Sequence, residues 1–236
     1  MDLLEAYASP DPGSGRPFVR CNMISSIDGA IAVDGRSGRL GGPPDRQVFA
    51  ALRSLADVIL VGAGTVRAEG YGPARIPPAL RAAREARGQP AVPPIAVVTR
   101  SANLDWSAPF FTEAEARPLL VTSAEGARRA QHRVPDVVDF LVAGDERVEL
   151  PGAVAALHGQ GRRHVLCEGG PALNAELAHE GLLDELCLTM APRLVGGTGP
   201  RVLAGDELRP PVGLEVVQLL EQDGFLFYRL RIPPRS

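Results

Sequence analysis

Short apolar runs alternate with segments of helical spacing along the first two thirds of the chain. A continuous apolar run is typical of a strand covered on both faces, whereas apolar residues three or four positions apart indicate an amphipathic helix. The runs predict strands over Phe18–Ile24, Asp57–Val61, Ile95–Val98, Leu119–Thr122, Val137–Val142 and His164–Cys167. The helical spacing predicts one helix beginning at Pro43-Pro44-Asp45 and others over Ala79–Arg87, Ala124–Gln131, Gly152–Gly159 and Pro171–Glu180. This alternation indicates an α/β fold with a mostly parallel sheet between two layers of helices.

The last third of the chain has a different pattern. Asp184–Ala191 predicts a further strand, and the Gly/Pro-rich loop 192–201 follows it. Leu214–Glu221 and Phe225–Ile232 flank an Asp223-Gly224 pair, which is a strong hairpin signal. We therefore expect a C-terminal antiparallel hairpin that makes the sheet mixed. No linker divides the chain, so one domain is expected over residues 18–236, after a loosely packed lead-in over residues 1–17.

The composition excludes several classes of protein. Hydrophobic residues make up 45% of the 236 residues and charged residues 22%, which is typical of a globular chain and not of a disordered one. All 25 basic residues are Arg, but the formal charge of −3 and the 5% aromatic content argue against nucleic-acid binding. No apolar stretch approaches the ~18 residues of a membrane span, and no signal-peptide pattern opens the chain.

The three cysteines, Cys21, Cys167 and Cys187, are widely spaced and lie in apolar runs. No His or Cys pair has the spacing of metal ligands, so we expect no metal site. Buried free thiols are usual in such surroundings and are typical of a reducing compartment. The sequence therefore predicts a cytoplasmic protein.

Two Gly-rich turns follow predicted strands, at the end of a parallel sheet where ligands bind. The first, Gly62-Ala63-Gly64-Thr65, lacks the third glycine of a dinucleotide fingerprint, because Arg67 stands there, so it is either a tight turn or a ligand contact. The second, Glu168-Gly169-Gly170-Pro171, precedes a helix, and its paired glycines allow close approach to a phosphate. Glu168 would repel that phosphate unless it faces another group, so we expect a functional role for it.

Polar groups also follow three other predicted strands. The segment Ser25–Gly29 is interpreted as a turn, because Ser and Asp side chains bond their own backbone and glycine permits positive φ. Thr99-Arg100-Ser101 and Thr122-Ser123 combine hydroxyl groups with a positive charge, which suits the adenosine 2′-phosphate of NADP, although turn formation explains either segment equally well.

Sequence patterns of hydrolytic enzymes and of P-loop proteins are absent, including GxSxG, HExxH and GxxxxGK[ST]. Hydride transfer needs few protein groups, because a nicotinamide cofactor carries the chemistry. The missing patterns therefore favour a nicotinamide enzyme.

Four motifs occur in the order SSIDGAIA, ILVGAGTVRAE, CEGGPALNAEL and APRLVGG. Together they resemble the reductase domain of bifunctional riboflavin-biosynthesis proteins, over about residues 18–232. The resemblance implies a dihydrofolate-reductase-like fold, a homodimer, and NADPH-dependent reduction of the ribosyl group of a 5-amino-6-ribosylaminouracil phosphate. It covers only the reductase half of the bifunctional proteins, so only the reductase role is implied.

The resemblance also implies site residues by position. Ser37, Arg53, Arg75 and Glu168 match substrate-binding positions, with Glu168 as the catalytic carboxylate that orients the substrate. Without the resemblance, Arg53 is interpreted as a solvated residue on an amphipathic helix. The NADPH contacts are Ile24, Gly64, Thr65, Glu69, Gly169, Gly170, Pro171, Ala172, Leu173 and Asn174, to which the strand-end turns add Thr99, Arg100, Ser101 and Thr122.

The chain departs from the family pattern in its substrate half. Ala30 stands where the family commonly has Lys or Arg, Arg39 where it has an aromatic residue, and Gly70–Pro73 where it has Asn-Pro or Asp-Pro. Arg75 aligns only loosely with the arginine that follows that segment. Two alternatives therefore stay open: a reductase of the same fold that acts on dihydrofolate or another pterin, and a non-enzymatic NADP-binding protein.

Overall fold

One mixed sheet runs through the computed structural model, which describes residues 2–13 and 15–233. Within these residues the strands are β1 (Phe18–Ser26), β2 (Val58–Gly62), β3 (Ile95–Val98), β4 (Leu119–Thr122), β5 (Asp139–Val142), β6 (His164–Cys167), β7 (Glu185–Ala191), β8 (Glu215–Gln222) and β9 (Phe225–Arg231). Their order across the sheet is β5-β4-β3-β2-β6-β1-β7-β9-β8. All pairs are parallel except β7 with β9 and β8 with β9. The predicted mostly parallel mixed sheet is confirmed.

The helices cover both faces of this sheet. Within the same described residues they are α1 (Leu3–Ala6), α2 (Pro43–Leu55), α3 (Ala63–Glu69), α4 (Pro78–Ala86), α5 (Pro109–Thr112), α6 (Ala124–Ala130), α7 (Leu150–Gly159) and α8 (Pro171–His179). A single 3-10 turn spans Ser37–Arg39. No helix in this part of the chain has the length and apolar character to cross a bilayer.

Alternate side chains of the central strands enter two separate cores. In β2, Ile59 and Val61 pack in the core that contains Leu52 of α2, whereas Val58 and Leu60 pack in the core that contains Leu177 of α8. Successive strand side chains point to opposite faces, so a strand with helices on both sides needs an unbroken apolar sequence. The two cores confirm the three-layer arrangement.

The strongest local patterns coincide closely with the structure. The predicted strands Ile95–Val98, Leu119–Thr122 and His164–Cys167 are observed with the same bounds. The predicted hairpin is also confirmed, and Asp223 and Gly224 have φ values of 53° and 79°. Positive φ at both central residues is the requirement of a two-residue type I′ hairpin, which explains why Asp-Gly was informative.

Short elements escaped prediction. Gly62-Ala63-Gly64-Thr65 is not only a turn, because helix α3 begins at Ala63. Helices α1 and α5 have four residues each, too few to show a helical period.

The N-terminal segment corrects a further expectation. Residues 1–17 were expected to pack loosely, but Tyr7 is only 1% exposed and belongs to a hydrophobic core. Backbone carbonyls of this segment accept hydrogen bonds from Arg20 and Arg229. The described part of the segment is therefore held by strands from both ends of the chain.

Candidate active site

A cleft of about 700 Å³ opens at the carboxyl ends of β1, β2 and β6. Helix α2 forms one wall, the loop around Ser37 and the 69–72 segment lie at its sides, and Pro200 of the Gly/Pro-rich loop also lines it. The carboxyl ends of parallel strands are where α/β proteins bind ligands, because the following helices present free backbone N–H groups there.

The two Gly-rich turns meet in this cleft because β2 and β6 are neighbours in the sheet. The Gly62 N–H donates to the Gly169 carbonyl at 2.7 Å, and the Glu168 N–H donates to the Leu60 carbonyl at 2.9 Å. An ideal Cβ on Gly170 would lie 2.4 Å from Thr65 Oγ1, so glycine is what permits this approach. The starts of α3 and α8 therefore lie side by side.

These residues fit the phosphates of a dinucleotide. The first turns of α3 and α8 leave backbone N–H groups without intrahelical partners, and helix N-termini attract anions. An ideal Cβ on Gly64, which lines the cleft, has no other atom within 4 Å, so the glycine leaves open space toward the cleft. Pro171 at the first position of α8 loses no hydrogen bond.

A buried ion pair lies beside the turns. Arg53 Nε donates to Glu168 Oε1 at 2.7 Å, and Arg53 Nη2 donates to Glu168 Oε2 at 2.8 Å. The Tyr71 hydroxyl accepts from Arg53 Nη2 at 2.9 Å, and the guanidinium lies 4.2 Å from the Phe49 ring centroid. Both charged residues are 8% exposed, so Arg53 is not a solvated surface residue. The group that Glu168 faces is Arg53.

A second contact joins two further predicted site residues. The Ser37 N–H donates to Glu69 Oε1 at 2.8 Å, which ties the 3-10 turn to the end of α3. Both residues line the cleft. Ile24, Ala172 and Leu173 line it as well.

The strand-end turns lie one and two strands further along the sheet. Thr99 Oγ1 accepts from the Ala102 N–H at 3.0 Å, and the Thr99 N–H donates to the Val121 carbonyl at 2.9 Å. Thr122 Oγ1 is buried and has no hydrogen-bond partner within the described residues. Arg100 and Ser101 are exposed. None of these four predicted residues is among the described residues that line the cleft.

Three other predicted site residues, Gly169, Arg75 and Asn174, are not among the described residues that line the cleft. Arg75 is exposed and forms an ion pair with Glu113 at 2.7 Å. Asn174 is fully buried, and its side chain accepts from the thiols of Cys21 and Cys167 and donates to the Val202 carbonyl at 3.0 Å. Asn174 thereby joins α8 to the Gly/Pro-rich loop.

All three cysteines are free and buried, as predicted. Burial raises the pKa of the Cys187 thiol to about 12, so this thiol stays neutral at physiological pH. Within the part of the chain that the structure describes, no group of His, Cys, Asp or Glu side chains could hold a metal ion.

Sequence reasoning missed many residues of the cleft, among them the polar or aromatic residues Asp45, Arg46, Phe49 and Tyr71. Arg46 and Phe49 lie seven and four positions before Arg53 and so occupy one face of α2 with it. This spacing was available in the sequence. Tyr71 was noticed only as a departure from the family pattern.

The comparisons with known proteins agree with this geometry. The family model of the RibD C-terminal domain matches residues 17–223. A protein of Archaeoglobus fulgidus named 2,5-diamino-6-ribosylamino-4(3H)-pyrimidinone 5′-phosphate reductase is 30% identical over 86% of this chain and 93% of its own length. A protein of Methanothermobacter thermautotrophicus with the same name is 31% identical over 85% of this chain and 91% of its own.

A solved structure supports the same relation. A pyrimidine reductase-like protein of Corynebacterium diphtheriae has a TM-score of 0.86 and 27% identity, over 99% of both chains. The riboflavin biosynthesis reductase of Saccharomyces cerevisiae, at 18% identity and a TM-score of 0.70, shares the fold.

Proposed function

Because the chain belongs to the RibD C-terminal domain family, we propose that it is an NADPH-dependent reductase of a 6-ribosylaminopyrimidine 5′-phosphate, as in riboflavin biosynthesis. One observation carries the proposal: two helix N-termini and a cleft-lining Arg53–Glu168 pair share one cleft of about 700 Å³. The first feature suits a dinucleotide, and the second suits the hydroxyl groups of a ribosyl chain.

When bound, NADPH would supply the hydride that converts the ribosyl group to ribityl. The starts of α3 and α8, with Gly64, Thr65, Gly169, Gly170, Pro171, Ala172 and Leu173, would hold the cofactor phosphates and the adjoining sugar. Ile24 and Glu69 line the cleft beside them. The protein's contribution is to hold the two reactants in a reactive orientation.

Glu168 and Arg53 would orient the ribosyl chain. Each Glu168 oxygen accepts one hydrogen bond from Arg53 and keeps further acceptor capacity, whereas Arg53 Nη1 makes no hydrogen bond within the described residues. The pair therefore offers both an acceptor and a donor to a sugar hydroxyl. Because the carboxylate is already balanced by Arg53, it does not repel a nearby phosphate, and Ser37 adds a hydroxyl at the side of the cleft.

NADPH rather than NADH is proposed from the strand-end turns. Thr99, Arg100, Ser101 and Thr122 follow β3 and β4, next to β2 in the sheet. Arg100 is exposed, so its guanidinium is available to a 2′-phosphate, whereas the Thr122 hydroxyl is buried and would have to become accessible to take part.

The names of the relatives favour a ribosylaminopyrimidine over a pterin. The two archaeal relatives, each covered over more than nine tenths of its length, are named for the 2,5-diamino compound. That compound has an amino group at the ring carbon where the aminouracil of the bifunctional proteins has a carbonyl oxygen. Both pyrimidines belong in the assay.

A homodimer and a cytoplasmic location complete the proposal. Val216 and Leu219 of the edge strand β8 are 64% and 51% exposed, which supports a dimer contact at the hairpin. The three buried free thiols support a reducing compartment.

The test is NADPH oxidation with each pyrimidine phosphate and with dihydrofolate. We expect turnover on a pyrimidine phosphate and none on dihydrofolate; turnover on dihydrofolate alone would refute the proposal. Gly170→Ala should abolish NADPH binding, because the new Cβ would lie 2.4 Å from Thr65 Oγ1. Gly159→Ala, where an ideal Cβ meets no atom within 4 Å, is the matched control.

A further inference from the structure

Two segments of the family motifs lie next to each other at the rim of the cleft. Asp28, in the motif SSIDGAIA, and the motif APRLVGG, residues 191–197, are not among the described residues that line the cleft. The Ile27 N–H donates to the Arg193 carbonyl at 3.0 Å, which joins the turn after β1 to the loop after β7. β1 and β7 are neighbouring parallel strands, so their carboxyl ends lie at the same edge of the sheet as the cleft.

The turn that contains Asp28 is held by another residue. The Ser26 carbonyl accepts from the Gly29 N–H at 3.0 Å, and Ser26 Oγ accepts from the Ala30 N–H at 2.9 Å. An Asp side chain in a turn commonly bonds the backbone two residues further on, which here is the Ala30 N–H. Because Ser26 already holds that group, the Asp28 carboxylate is available to another segment.

The Asp28 carboxylate binds the Gly/Pro-rich loop. It accepts from the Gly196 N–H at 2.6 Å and from the Val195 N–H at 3.2 Å, and Ser26 Oγ donates to it at 2.5 Å. These hydrogen bonds, that from Ser26 above all, lower the pKa of Asp28 to about 2, so the carboxylate is charged at neutral pH. One negative charge therefore holds two successive backbone N–H groups of the loop.

The other end of the loop is held by α8. The Ala204 N–H donates to the Pro171 carbonyl at 3.1 Å, and Asn174 Nδ2 donates to the Val202 carbonyl at 3.0 Å. Pro171 is the first residue of α8 and lines the cleft, at the helix N-terminus proposed to hold the cofactor phosphates. The loop therefore runs from the turn after β1 to the start of α8.

Between the two attachments lies a short segment, residues 197–201, which we call the strap. No strap residue makes a hydrogen bond with any described residue, and the whole strap is exposed. Pro200 of the strap nevertheless lines the cleft. Since the strap makes no hydrogen bonds of its own to the described residues, its two attachments determine where Pro200 lies.

We infer that Asp28 is a positioning residue: by holding Val195 and Gly196 it keeps the strap at the mouth of the cleft, where Pro200 covers the bound cofactor and slows its release. The inference rests on the proposed function, because the cofactor is the ligand that the strap retains. Without the Asp28 carboxylate the free segment would grow from residues 197–201 to residues 194–201. A longer free segment has more conformations to lose when it closes over a ligand.

The first experiment measures the strap directly by limited trypsin digestion. Trypsin cleaves after Arg201, an exposed residue at the end of the strap, and mass spectrometry identifies this cleavage among others. We expect Asp28→Ala to raise the rate of cleavage after Arg201 about tenfold, because proteolysis requires the segment to open locally. Asp28→Asn, which keeps a neutral oxygen acceptor, should raise this rate less.

Asp105→Ala is the matched control. The exposed Asp105 carboxylate accepts from the Ser107 N–H at 3.0 Å and from Ser107 Oγ at 2.6 Å. Its partners are of the same kinds as those of Asp28, but they lie within one turn and no second segment is held. Asp105→Ala should therefore leave the rate of cleavage after Arg201 unchanged.

The second experiment measures the effect on the cofactor. We expect Asp28→Ala to raise the dissociation rate of NADPH about three- to tenfold, with little change in its association rate. Stopped-flow displacement of NADPH by excess NADP⁺, followed by NADPH fluorescence, gives the dissociation rate. A residue that only stabilised the fold would leave this rate unchanged at a temperature where circular dichroism shows both proteins to be folded.

Two results would overturn the inference. Unchanged cleavage after Arg201 in Asp28→Ala would show that the carboxylate does not hold the strap. Faster cleavage with an unchanged dissociation rate of NADPH would show that the strap does not retain the cofactor.

Failure of the proposed function is a separate result, seen as no NADPH binding by the unmodified protein. The digestion, which needs no ligand, then decides the role of Asp28. Faster cleavage after Arg201 in Asp28→Ala than in Asp105→Ala supports the attachment of the strap by this carboxylate, and equal cleavage overturns it.

Discussion

Two clusters of arginine and glutamate lie at opposite ends of the parallel strands in the middle of the sheet. Arg53 and Glu168 meet at the carboxyl end of β6, in the cleft. Glu185, at the start of β7, accepts from Arg20 Nε at 2.5 Å and from Arg229 Nε at 2.7 Å. The clusters have the same chemistry, but their remaining donors have different partners.

In the Glu185 cluster three other donors meet backbone carbonyls, while the buried Arg20 Nη2 has no hydrogen-bond partner within the described residues. Arg20 Nη1 donates to the Tyr7 carbonyl at 2.8 Å, and Arg229 donates to the carbonyls of Ala6 and Ala8 at 2.9 and 2.8 Å. Arg53 Nη1 also has no described partner, but Arg53 lines the cleft, and its side chain is 10% exposed against 4% for Arg20. An ion pair in the interior whose arginines also donate to backbone carbonyls serves structure. An ion pair beside a cleft, with a donor that faces no protein partner, can bind a ligand.

The largest expected effect is the loss of stability in Glu185→Gln. The buried guanidinium of Arg20 and the partly buried one of Arg229 would lose their counter-charge, and removing one partner of a buried pair costs on the order of 3–5 kcal/mol in the free energy of unfolding. Urea denaturation measures this loss. Glu215→Gln is the control. Glu215 pairs with Arg231, which lies on β9 like Arg229, but both side chains of this pair are exposed to solvent. Exposed ion pairs contribute at most about 1 kcal/mol to the free energy of unfolding. An equal loss of unfolding free energy in both variants would contradict a structural role for the Glu185 cluster.

Glu168→Gln should separate activity from stability. Arg53 would lose its bidentate partner and its orientation, so we expect kcat/KM to fall about 100-fold. The free energy of unfolding should fall less than in Glu185→Gln, because solvent in the cleft can hydrate the freed guanidinium. Steady-state kinetics and urea denaturation on the same preparation test both statements. Unchanged kcat/KM together with a large loss of stability would show that the Arg53–Glu168 pair is structural, like the Glu185 cluster.

A smaller effect is expected for Tyr71→Phe. The change removes the hydroxyl that accepts from Arg53 Nη2 at 2.9 Å, while the ring, 5.5 Å from the guanidinium carbon, remains. One hydrogen bond contributes about 1 kcal/mol, so kcat/KM should fall about fivefold. Tyr228→Phe in β9 is the control, since Tyr228 is not among the described residues that line the cleft. A loss as large as that of Glu168→Gln would show a direct role for the hydroxyl.

The smallest effect is expected for Asp45→Asn, which tests whether the open cleft responds to nearby charge. Removal of a negative charge beside Arg46 should lower KM for the phosphorylated substrate about two- to threefold at low salt, and added salt should reduce the difference. The KM of both proteins is measured across a range of ionic strength. A higher KM in the variant would contradict this electrostatic account.

Sequence patterns predicted an element correctly where the residues of one short segment were sufficient to determine it. Strand Ile95–Val98 is apolar along its length because both faces are covered, and Asp223-Gly224 fits the backbone of its hairpin. Arg84 shows where such patterns fail. It lies in the predicted helix Ala79–Arg87, where an arginine would ordinarily be exposed, yet it is fully buried and donates to the carbonyls of Ser54 and Ala56. Burial lowers the pKa of Arg84 to about 10, and its partners lie some thirty residues earlier in the chain.

The candidate site also has features that local motifs predicted and features that depend on contacts between distant segments. The motifs placed Thr65, Gly170 and Glu168 at strand ends, and the structure brings them to one cleft, while their roles stay predictions. The pairing of Arg53 with Glu168 spans 115 positions of sequence, and no local pattern indicates it. Arg75 and Asn174 matched family positions, but contacts with Glu113 and with two buried thiols govern their side chains.

The sequence by itself determined the alternation of strands and helices, the hairpin, the family and the two Gly-rich turns. Each of these depends on periodicity or on backbone freedom within a few residues. Only the tertiary structure decided which arginines are neutralised and which keep a free charge. Arg20, Arg53 and Arg229 are paired while Arg46 is not, because ion pairing depends on distance in space, and distant segments are brought together only when the sheet forms.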